Sequence, residues 1–201
     1  MQQLNYGAEG EIYKVDENWL LKKRNVQTYR HPQLDLQLRR KRVKREYKVL
    51  QFLLEKGVRV PSVQELNLDD TSFQIEFIKG ECIVENMSLE ILKQSIIEIA
   101  NIHKQGVVHC DLTPLNIMKR EESGEICVID FGLSEFSINR EERGVDLNVF
   151  FTFLQNDFPD LILHKDELLE LYREEFNDDA IVDEILTRLE QIEKRGRNKN
   201  K

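Results

Sequence analysis

Residues 109–118 read HCDLTPLNIM, and residues 128–132 read VIDFG. The two stretches place Asn116 five positions after Asp111, and Asp130 directly after an apolar run. Phosphoryl transfer requires metal ions that neutralise the phosphates and a group that orients the acceptor, and Mg²⁺ prefers oxygen ligands. Each residue alone would be typical of an Asx turn or a helix cap. Together they predict that Asp111 orients an acceptor hydroxyl while Asn116 and Asp130 hold metal.

The composition is that of a globular protein, since 40% of the 201 residues are hydrophobic and 33% are charged. The sequence contains no apolar run near the roughly 20 residues of a membrane helix, and its start, MQQLNYGAEG, lacks the apolar core of a secretory signal. The spacing of Cys82, Cys110 and Cys127 fits neither a zinc site nor a disulfide framework. We therefore expect reduced thiols, no membrane contact and a cytoplasmic location, also nuclear in a eukaryote.

Charge is distributed unevenly along the chain, whose formal net charge is −8. Residues 22–48 contain eleven Lys or Arg and two acidic residues, and residues 194–201, KRGRNKNK, contain five basic residues and no acidic one. Basic patches on an acidic body favour an anionic partner with a defined footprint. The run RRKRVKRE at residues 39–46 is also typical of a solvated helix face, and that alternative stays open.

The first 78 residues have the pattern of short strands around one long helix. Apolar residues recur at helical spacing across residues 31–57, and Gly57 ends the pattern. Strands are predicted at residues 11–16, 18–24, 62–68 and 72–78.

The rest of the chain is mainly helical. Helices are predicted at residues 88–106, 145–154, 165–176 and 180–196, and two short strands flank a turn at Ser123-Gly124. Ser88 is the expected N-cap of the first of these helices, and Gly106 ends it. This order predicts an α+β fold with a β-rich lobe at 1–78, a helical lobe at 79–193 and a flexible basic tail at 194–201.

A cation for the phosphates is expected on the strand that contains WLLKK, residues 19–23. Lys22, paired with Glu46 on the following helix, would grip a nucleotide's phosphates. Lys23 is an alternative, because strand alternation does not choose between neighbours. The glycines of GAEG, residues 7–10, would bring backbone N–H groups to the phosphates or form an ordinary hairpin turn.

Two more polar residues lie near these motifs. His109 is expected to be a buried structural residue that ties the loop at residues 109–116 to the DFG segment, rather than a base. Asp146, in GVDLN, either caps a helix or braces that loop from below, and the sequence favours neither reading.

The HCDLTPLN and VIDFG segments resemble the catalytic and metal-binding loops of the protein-kinase-like fold, in the short form of RIO-type atypical kinases. LLKKRNVQTYRHPQLD, RRKRVKRE, GVDLN and the C-terminal KRGR make the similarity more specific. The chain resembles the small atypical kinase or ATPase subunit of the KEOPS complex, which supports threonylcarbamoylation of tRNA adenosine. The resemblance covers about residues 4–199, and YRHPQLD at 29–35 is its most specific local segment.

The resemblance implies a reduced bilobal protein-kinase-like fold that uses ATP with Mg²⁺, or with Mn²⁺ in its place. Its pattern selects Lys22 over Lys23, with Arg24 following. The implied catalytic residues are Lys22, Glu46 and Asp111, the metal ligands are Asn116 and Asp130, and the nucleotide-binding residues are Gly7, Ala8, Glu9, Gly10, Lys22, Glu76 and Ile78.

The resemblance also implies an activity and partners. The activity is ATP-dependent phosphoryl transfer or ATP hydrolysis in support of tRNA modification. The partners are the threonylcarbamoyl-transferase subunit, a small KEOPS subunit on the N-terminal lobe, and tRNA bound by the basic helix at 39–45 and the tail at 194–201. The alternatives are a free-standing atypical serine/threonine kinase of RIO type and a pseudokinase that only binds.

Two residues depart from the family pattern. Cys110 stands where the family usually has glycine, and Pro114 where it usually has a small polar residue. Proline removes a backbone donor and stiffens the loop, so we expect the acceptor to be positioned differently. No A-P-E segment follows DFG, and residues 133–201 are too few for the usual peptide-substrate lobe, so ATP hydrolysis is favoured over peptide phosphorylation.

Overall fold

The structure, a computed structural model, describes the backbone of residues 2–6 and 10–199 and the side chains of residues 10–195. An antiparallel five-stranded sheet forms the N-terminal lobe, with strand order β1-β2-β3-β5-β4. Its strands are β1 (Gln2–Tyr6), β2 (Gly10–Lys14), β3 (Trp19–Arg24), β4 (Val63–Asn67) and β5 (Ser72–Glu76). This sheet and the helical lobe after it form the predicted α+β architecture.

The helix α1 (Pro32–Glu55) packs against β4 and β5. It begins with Pro32 at its first position, where a missing N–H costs nothing, and it ends before Gly57, whose φ is +77°. Its buried face holds apolar residues together with the carboxylate of Glu46, which is fully buried. A buried carboxylate needs charged or hydrogen-bonding partners, and β3 supplies them.

The C-terminal lobe combines two small sheets with four helices. One sheet has the order β6-β8-β9, and the other pairs β7 with β10. These strands are β6 (Gly80–Cys82), β7 (Val107–Val108), β8 (Ile117–Arg120), β9 (Ile126–Val128) and β10 (Glu135–Phe136). The helices are α2 (Leu89–Lys104), α3 (Arg140–Asp157), α4 (Lys165–Phe176) and α5 (Asp179–Lys199).

A helix cap and two glycines fix the chain path in the C-terminal lobe. The Ser88 hydroxyl accepts a hydrogen bond from the Ile91 N–H at 3.3 Å, which confirms the predicted cap of α2. Gly106, with φ +73°, turns the chain away after it. A Cβ on Gly80 would lie 2.0 Å from the Lys119 carbonyl oxygen. Only glycine therefore allows β6 to approach β8 so closely.

The structure differs from the sequence predictions mainly at the start of α3 and the end of α5. The helix α3 begins at Arg140, five residues before the predicted start, where the Asn139 side chain accepts from the Glu141 N–H at 3.0 Å. Residues 194–199, which fall within the predicted flexible tail at 194–201, belong to α5, and the flexibility of this segment stays a prediction. An ion pair of 3.2 Å between Lys194 and Glu190 supports this last part of α5. Residues 200 and 201 lie outside the described residues.

The predicted boundary between the lobes, after residue 78, falls in the connection between β5 and β6 and stays a prediction. Within the part of the chain that the structure describes, no helix is both long and apolar enough to cross a membrane.

Candidate active site

A cleft of about 600 Å³ lies between the two lobes, a size typical of small-molecule sites. One part of its wall is apolar and includes Ile12, Leu20, Ile75, Met118 and Ile129. The other part brings together the polar residues Lys22, Asp111, Asn116 and Asp130. The structure thus places these four predicted site residues in one cleft, although they are up to 108 positions apart in the chain.

Lys22 contacts a carboxylate from each lobe. Its Nζ lies 2.6 Å from Glu46 Oε1 and 2.8 Å from Asp130 Oδ1. The neighbouring Lys23 instead forms an ion pair with Asp70. The alternation of the strand therefore directs Lys22 toward the fully buried Glu46 and leaves Lys23 to another acid.

The Lys22–Asp130 contact keeps both groups charged. Burial lowers the pKa of Lys22, but the carboxylates of Glu46 and Asp130 outweigh burial and raise that pKa above its ordinary value. Burial likewise raises the pKa of Asp130, and the Lys22 ammonium outweighs it and lowers that pKa below its ordinary value. An ammonium and a carboxylate are thus present together at neutral pH.

Arg24 is a site residue that the sequence analysis did not assign. Its Nη2 donates to Glu46 Oε2 at 2.7 Å and to the Gly132 carbonyl oxygen at 3.3 Å. A Cβ on Gly132 would lie 2.8 Å from that Nη2, so the glycine of DFG leaves room for the guanidinium. Arg24 stands two positions after Lys22, on the same face of β3, and this period of two is the signal that would have found it.

The loop at 109–116 holds Asp111 and Asn116 together. The Asn116 side-chain amide donates to the Asp111 backbone oxygen at 2.9 Å and to Asp111 Oδ2 at 3.2 Å. Pro114 is the first residue of a short 3₁₀ turn, Pro114–Asn116. An N–H has no intrahelical partner at that position, so the proline departs from the family pattern without removing a hydrogen bond of the turn.

Asp146, on α3, holds this loop in place through hydrogen bonds to its backbone, which is the bracing role considered for it. It lies inside α3 and is buried, so the helix-cap reading is wrong and the bracing reading is confirmed. Its carboxylate accepts from the backbone N–H groups of His109 at 2.6 Å and Cys110 at 2.9 Å, and Oδ2 lies 3.2 Å from His103 Nε2. The other nitrogen of His103 contacts the Tyr172 hydroxyl at 2.9 Å.

His109 has the structural role predicted for it. It is fully buried, and its Nε2 lies 2.9 Å from the backbone oxygen of Ile129, one residue before Asp130. Its ring packs on Phe131, with the ring centroids 4.8 Å apart. His109 therefore ties the loop to the DFG segment.

Cys110 and Asp130 have left-handed backbone conformations, with φ of +64° and +59°. This conformation costs about 1–2 kcal/mol for residues other than glycine. It gives a physical reason for the family's usual glycine at position 110. Burial, together with the Asp146 carboxylate, raises the pKa of the Cys110 thiol to about 11, so Cys110 is not a thiolate nucleophile at neutral pH.

Glu76, the last residue of β5, and Ile78, in the connection to β6, both line the cleft. The Glu76 carboxylate accepts from Arg120 on β8 and from the Ser62 N–H at 2.9 Å. This side chain therefore links β5 to the second lobe. Gly10 also lines the cleft, whereas the other predicted glycine-loop residues, 7–9, lie outside the described residues.

The oxygen donors of the cleft are few. The described residues contain no group of three or more His, Cys, Asp or Glu side chains that would hold a metal ion alone. Asp130, which is half-exposed, and the amide oxygen of Asn116 fit an ion that completes its coordination with phosphates and water, as Mg²⁺ does.

Comparison with known proteins gives matches over most of the chain. The protein kinase domain model matches residues 3–154. A solved structure of the Rio2 kinase–ADP/Mg²⁺–phosphoaspartate complex from Chaetomium thermophilum superposes with a TM-score of 0.61 at 15% identity, covering 96% of this chain and 70% of that one. At this identity the likeness concerns the fold alone.

Three curated relatives are more similar in sequence. The probable serine/threonine-protein kinase BUD32 homolog of Archaeoglobus fulgidus is 32% identical, covering 95% of this chain and 93% of that protein. The EKC/KEOPS complex subunit bud32 of Dictyostelium discoideum is 32% identical, covering 98% and 82%. A probable bifunctional tRNA threonylcarbamoyladenosine biosynthesis protein of Methanospirillum hungatei is 35% identical, covering 95% of this chain but 35% of that protein. The resemblance found in the motifs is confirmed: the chain belongs to the protein kinase family and, within it, to the Bud32 family.

Proposed function

We propose that this chain transfers or hydrolyses the γ-phosphoryl group of ATP as the kinase subunit of a KEOPS complex, in support of the threonylcarbamoyladenosine modification of tRNA. The observation that carries the proposal is the position of Lys22 between Glu46 and Asp130, at 2.6 and 2.8 Å, in a cleft that Asp111 and Asn116 also line. The names of the relatives from Dictyostelium discoideum and Methanospirillum hungatei support the complex and the tRNA modification.

Lys22 is the cation for the phosphates. Glu46 fixes it through one carboxylate oxygen, while Arg24 occupies the other oxygen and so prevents Glu46 from turning away. Asp130 and Asn116 would hold Mg²⁺, or Mn²⁺ in its place, which neutralises negative charge on the phosphates.

Asp111 orients the hydroxyl or water that receives the phosphoryl group. The Asn116 side-chain amide donates to the Asp111 carboxylate, which keeps the group that orients the acceptor next to a metal ligand. The apolar wall around Leu20 and Met118 suits the adenine ring, whose polar edge would meet backbone groups of Glu76 and Ile78. In this proposal the segment Gly7–Gly10 covers the phosphates.

The segment after DFG favours ATP hydrolysis over peptide phosphorylation. The helix α3 begins at Arg140, so residues 133–139 alone connect the DFG segment to α3. Among them, β10 pairs with β7 and leaves little chain to bind a peptide. A protein partner that is activated by ATP hydrolysis fits this short segment better.

The partners remain proposals. The threonylcarbamoyl-transferase subunit would bind directly, a small KEOPS subunit would bind the N-terminal lobe, and tRNA would contact residues 39–45 and 194–201 in the cytoplasm or nucleus. The structure restricts the first tRNA segment, since Arg40 is paired with Asp69 at 2.7 Å, whereas Lys41 and Lys44 are exposed.

The test is ATP hydrolysis by the purified chain with Mg²⁺, first alone and then with the transferase subunit and tRNA. We expect weak hydrolysis that rises when both are added, together with modified tRNA. Rapid hydrolysis by the chain alone, with phosphate transferred to unrelated proteins, would instead indicate a free-standing kinase of RIO type. No hydrolysis under any of these conditions would indicate a pseudokinase.

A further inference from the structure

A second, smaller cavity, which shares Arg24 with the nucleotide cleft, lies between α1 and the segment that joins β3 to α1. Its volume is about 170 Å³, several times the roughly 30 Å³ of one water molecule. Its lining includes the side chains of Arg24, Arg30, Arg39, Arg42 and Tyr29 and, among the described residues, no acidic side chain. Tyr29 and Arg30 open YRHPQLD, the most specific local motif of the sequence, and no residue of that motif lines the nucleotide cleft.

Asp35, the last residue of that motif, holds residues that line the cavity in place. It is 1% exposed. Its carboxylate accepts from Arg39 Nε at 2.7 Å and from the Gln27 backbone N–H at 3.3 Å, and it lies 3.9 Å from Arg30. One buried carboxylate thus fixes the connecting segment and two of the arginines at once, so the cavity is formed before any ligand binds.

Arg39 is held on its other side as well. Its Nη1 donates to the Thr71 hydroxyl at 2.7 Å, while Nε is used by Asp35. A guanidinium with two fixed partners has lost most of its rotational freedom. Its remaining N–H groups therefore reach an anion at little entropic cost.

Tyr29 lies at the rim, and its exposure is unusual for an aromatic side chain. A hydrogen bond of 3.1 Å from the Arg30 N–H to the Gln27 oxygen closes a turn that presents Tyr29, which is 74% exposed. The Arg30 guanidinium lies 4.8 Å from the centre of the tyrosine ring. An exposed ring beside an arginine is the arrangement on which unpaired nucleic-acid bases stack.

We infer that this cavity binds one unpaired nucleotide of an RNA, with its phosphate among Arg30, Arg39 and Arg42 and its base stacked on Tyr29. The choice of RNA as the source of the phosphate rests on the function proposed above. The aromatic platform itself favours a nucleotide over a phosphopeptide, which offers no base to stack. The base must be unpaired, because a base inside a helix does not present its face.

The site is continuous with the catalytic machinery through Arg24, which lines both the nucleotide cleft and this cavity. Arg24 donates to Glu46, and Glu46 contacts Lys22 at 2.6 Å. A nucleotide in the cavity therefore lies two side-chain contacts from the lysine that meets the phosphates of ATP.

The test measures binding of a fluorescent single-stranded RNA of about eight nucleotides to the full chain by anisotropy, at several salt concentrations. We expect Tyr29→Phe to bind like wild type and Tyr29→Ala to bind at least about fivefold more weakly, because stacking is lost. We expect Arg42→Gln to reduce the slope of log affinity against log salt by about 0.7, the value for one phosphate contact in a single strand. Arg40→Gln, on the same helix but outside the lining of this cavity, is the matched control and should stay within about twofold of wild type.

The outcomes separate this site from the proposed function. Equal affinity of Tyr29→Ala and Tyr29→Phe, equal loss in Arg40→Gln and Arg42→Gln, or no binding by wild type would overturn the inference. The inference would also be overturned if a phosphopeptide displaced the labelled RNA as effectively as unlabelled RNA does. ATP hydrolysis that ignores tRNA and the transferase subunit would overturn the proposed function, yet a Tyr29-dependent RNA affinity would still stand.

Discussion

Asp146→Asn tests how the loop that carries Asp111 is held. Each carboxylate oxygen accepts one backbone hydrogen bond: Oδ2 from the His109 N–H at 2.6 Å and Oδ1 from the Cys110 N–H at 2.9 Å. Oδ2 also lies 3.2 Å from His103 Nε2. Asparagine keeps the shape but replaces one oxygen with an NH₂ donor. At least one of the buried N–H groups then faces another donor and loses its acceptor.

The size of the effect follows from these contacts. A buried donor left without a partner costs about 1–3 kcal/mol, and removing the charge from the remaining bonds costs about 1 kcal/mol more. We therefore expect Asp146→Asn to lower the free energy of unfolding by about 2–4 kcal/mol. For a chain of 201 residues this lowers Tm by about 5–15 °C.

Urea and thermal unfolding give the stability, and amide hydrogen exchange at His109 and Cys110 reports the loop itself. Asp157→Asn, an exposed aspartate at the end of the same helix, is the control and should stay within about 0.5 kcal/mol of wild type. An Asp146→Asn variant as stable as this control, with unchanged exchange at the two amides, would refute the bracing role.

Three further predictions concern stability. Burial lowers the pKa of His103 more than Asp146 raises it, so below about pH 6.5 the unfolded chain binds a proton that the folded chain does not. The free energy of unfolding in urea should therefore fall below that pH by up to about 1.4 kcal/mol per pH unit. The same fall in His103→Gln would show that His103 is not its cause. Gly80→Ala places a Cβ 2.0 Å from the Lys119 carbonyl oxygen and should cost about 1–3 kcal/mol or more; an unchanged urea midpoint would contradict the close approach of β6 and β8. Cys110→Gly relieves about 1–2 kcal/mol of strain from the left-handed backbone, whereas the added entropy of the unfolded chain costs about 0.5–1 kcal/mol. The urea midpoint should therefore rise in Cys110→Gly but not in Cys110→Ala. Equal midpoints of the two variants would argue against strain at this position.

Long segments with a clear apolar period were predictable from the sequence. The helices α1, α2, α4 and α5 and the strands β2 to β5 were predicted close to where they lie, because each buries a face that its own residues specify. The strands β6, β7 and β10 are two or three residues long, so pairing partners and not their own sequences define them. The start of α3, REERG, has no apolar period, and for that reason its first five residues were missed.

The candidate site divides in the same way. Asp111, Asn116 and Asp130 were predicted from their spacing along the chain. Strand alternation alone did not separate Lys22 from Lys23; the family pattern selected Lys22, and in the structure Lys22 is the lysine that contacts Glu46. Arg24 and Asp146 depend on contacts between elements more than 20 residues apart. Such contacts leave only weak signals in one sequence, because both residues also fit ordinary roles as a surface charge or a helix cap.

The most direct measurement of the central claim compares two adjacent lysines. ATP hydrolysis with Mg²⁺, in the presence of the transferase subunit and tRNA, is measured for wild type, Lys22→Met and Lys23→Met, with thermal unfolding as the check on folding. The Lys22 ammonium contacts Glu46 and Asp130 in the cleft, whereas Lys23 is paired with Asp70. We predict that Lys22→Met loses at least about a hundredfold in hydrolysis rate and that Lys23→Met stays within about threefold of wild type. Equal rates for the two folded variants, or a greater loss in Lys23→Met, would contradict the assignment of this cleft as the site of phosphoryl transfer.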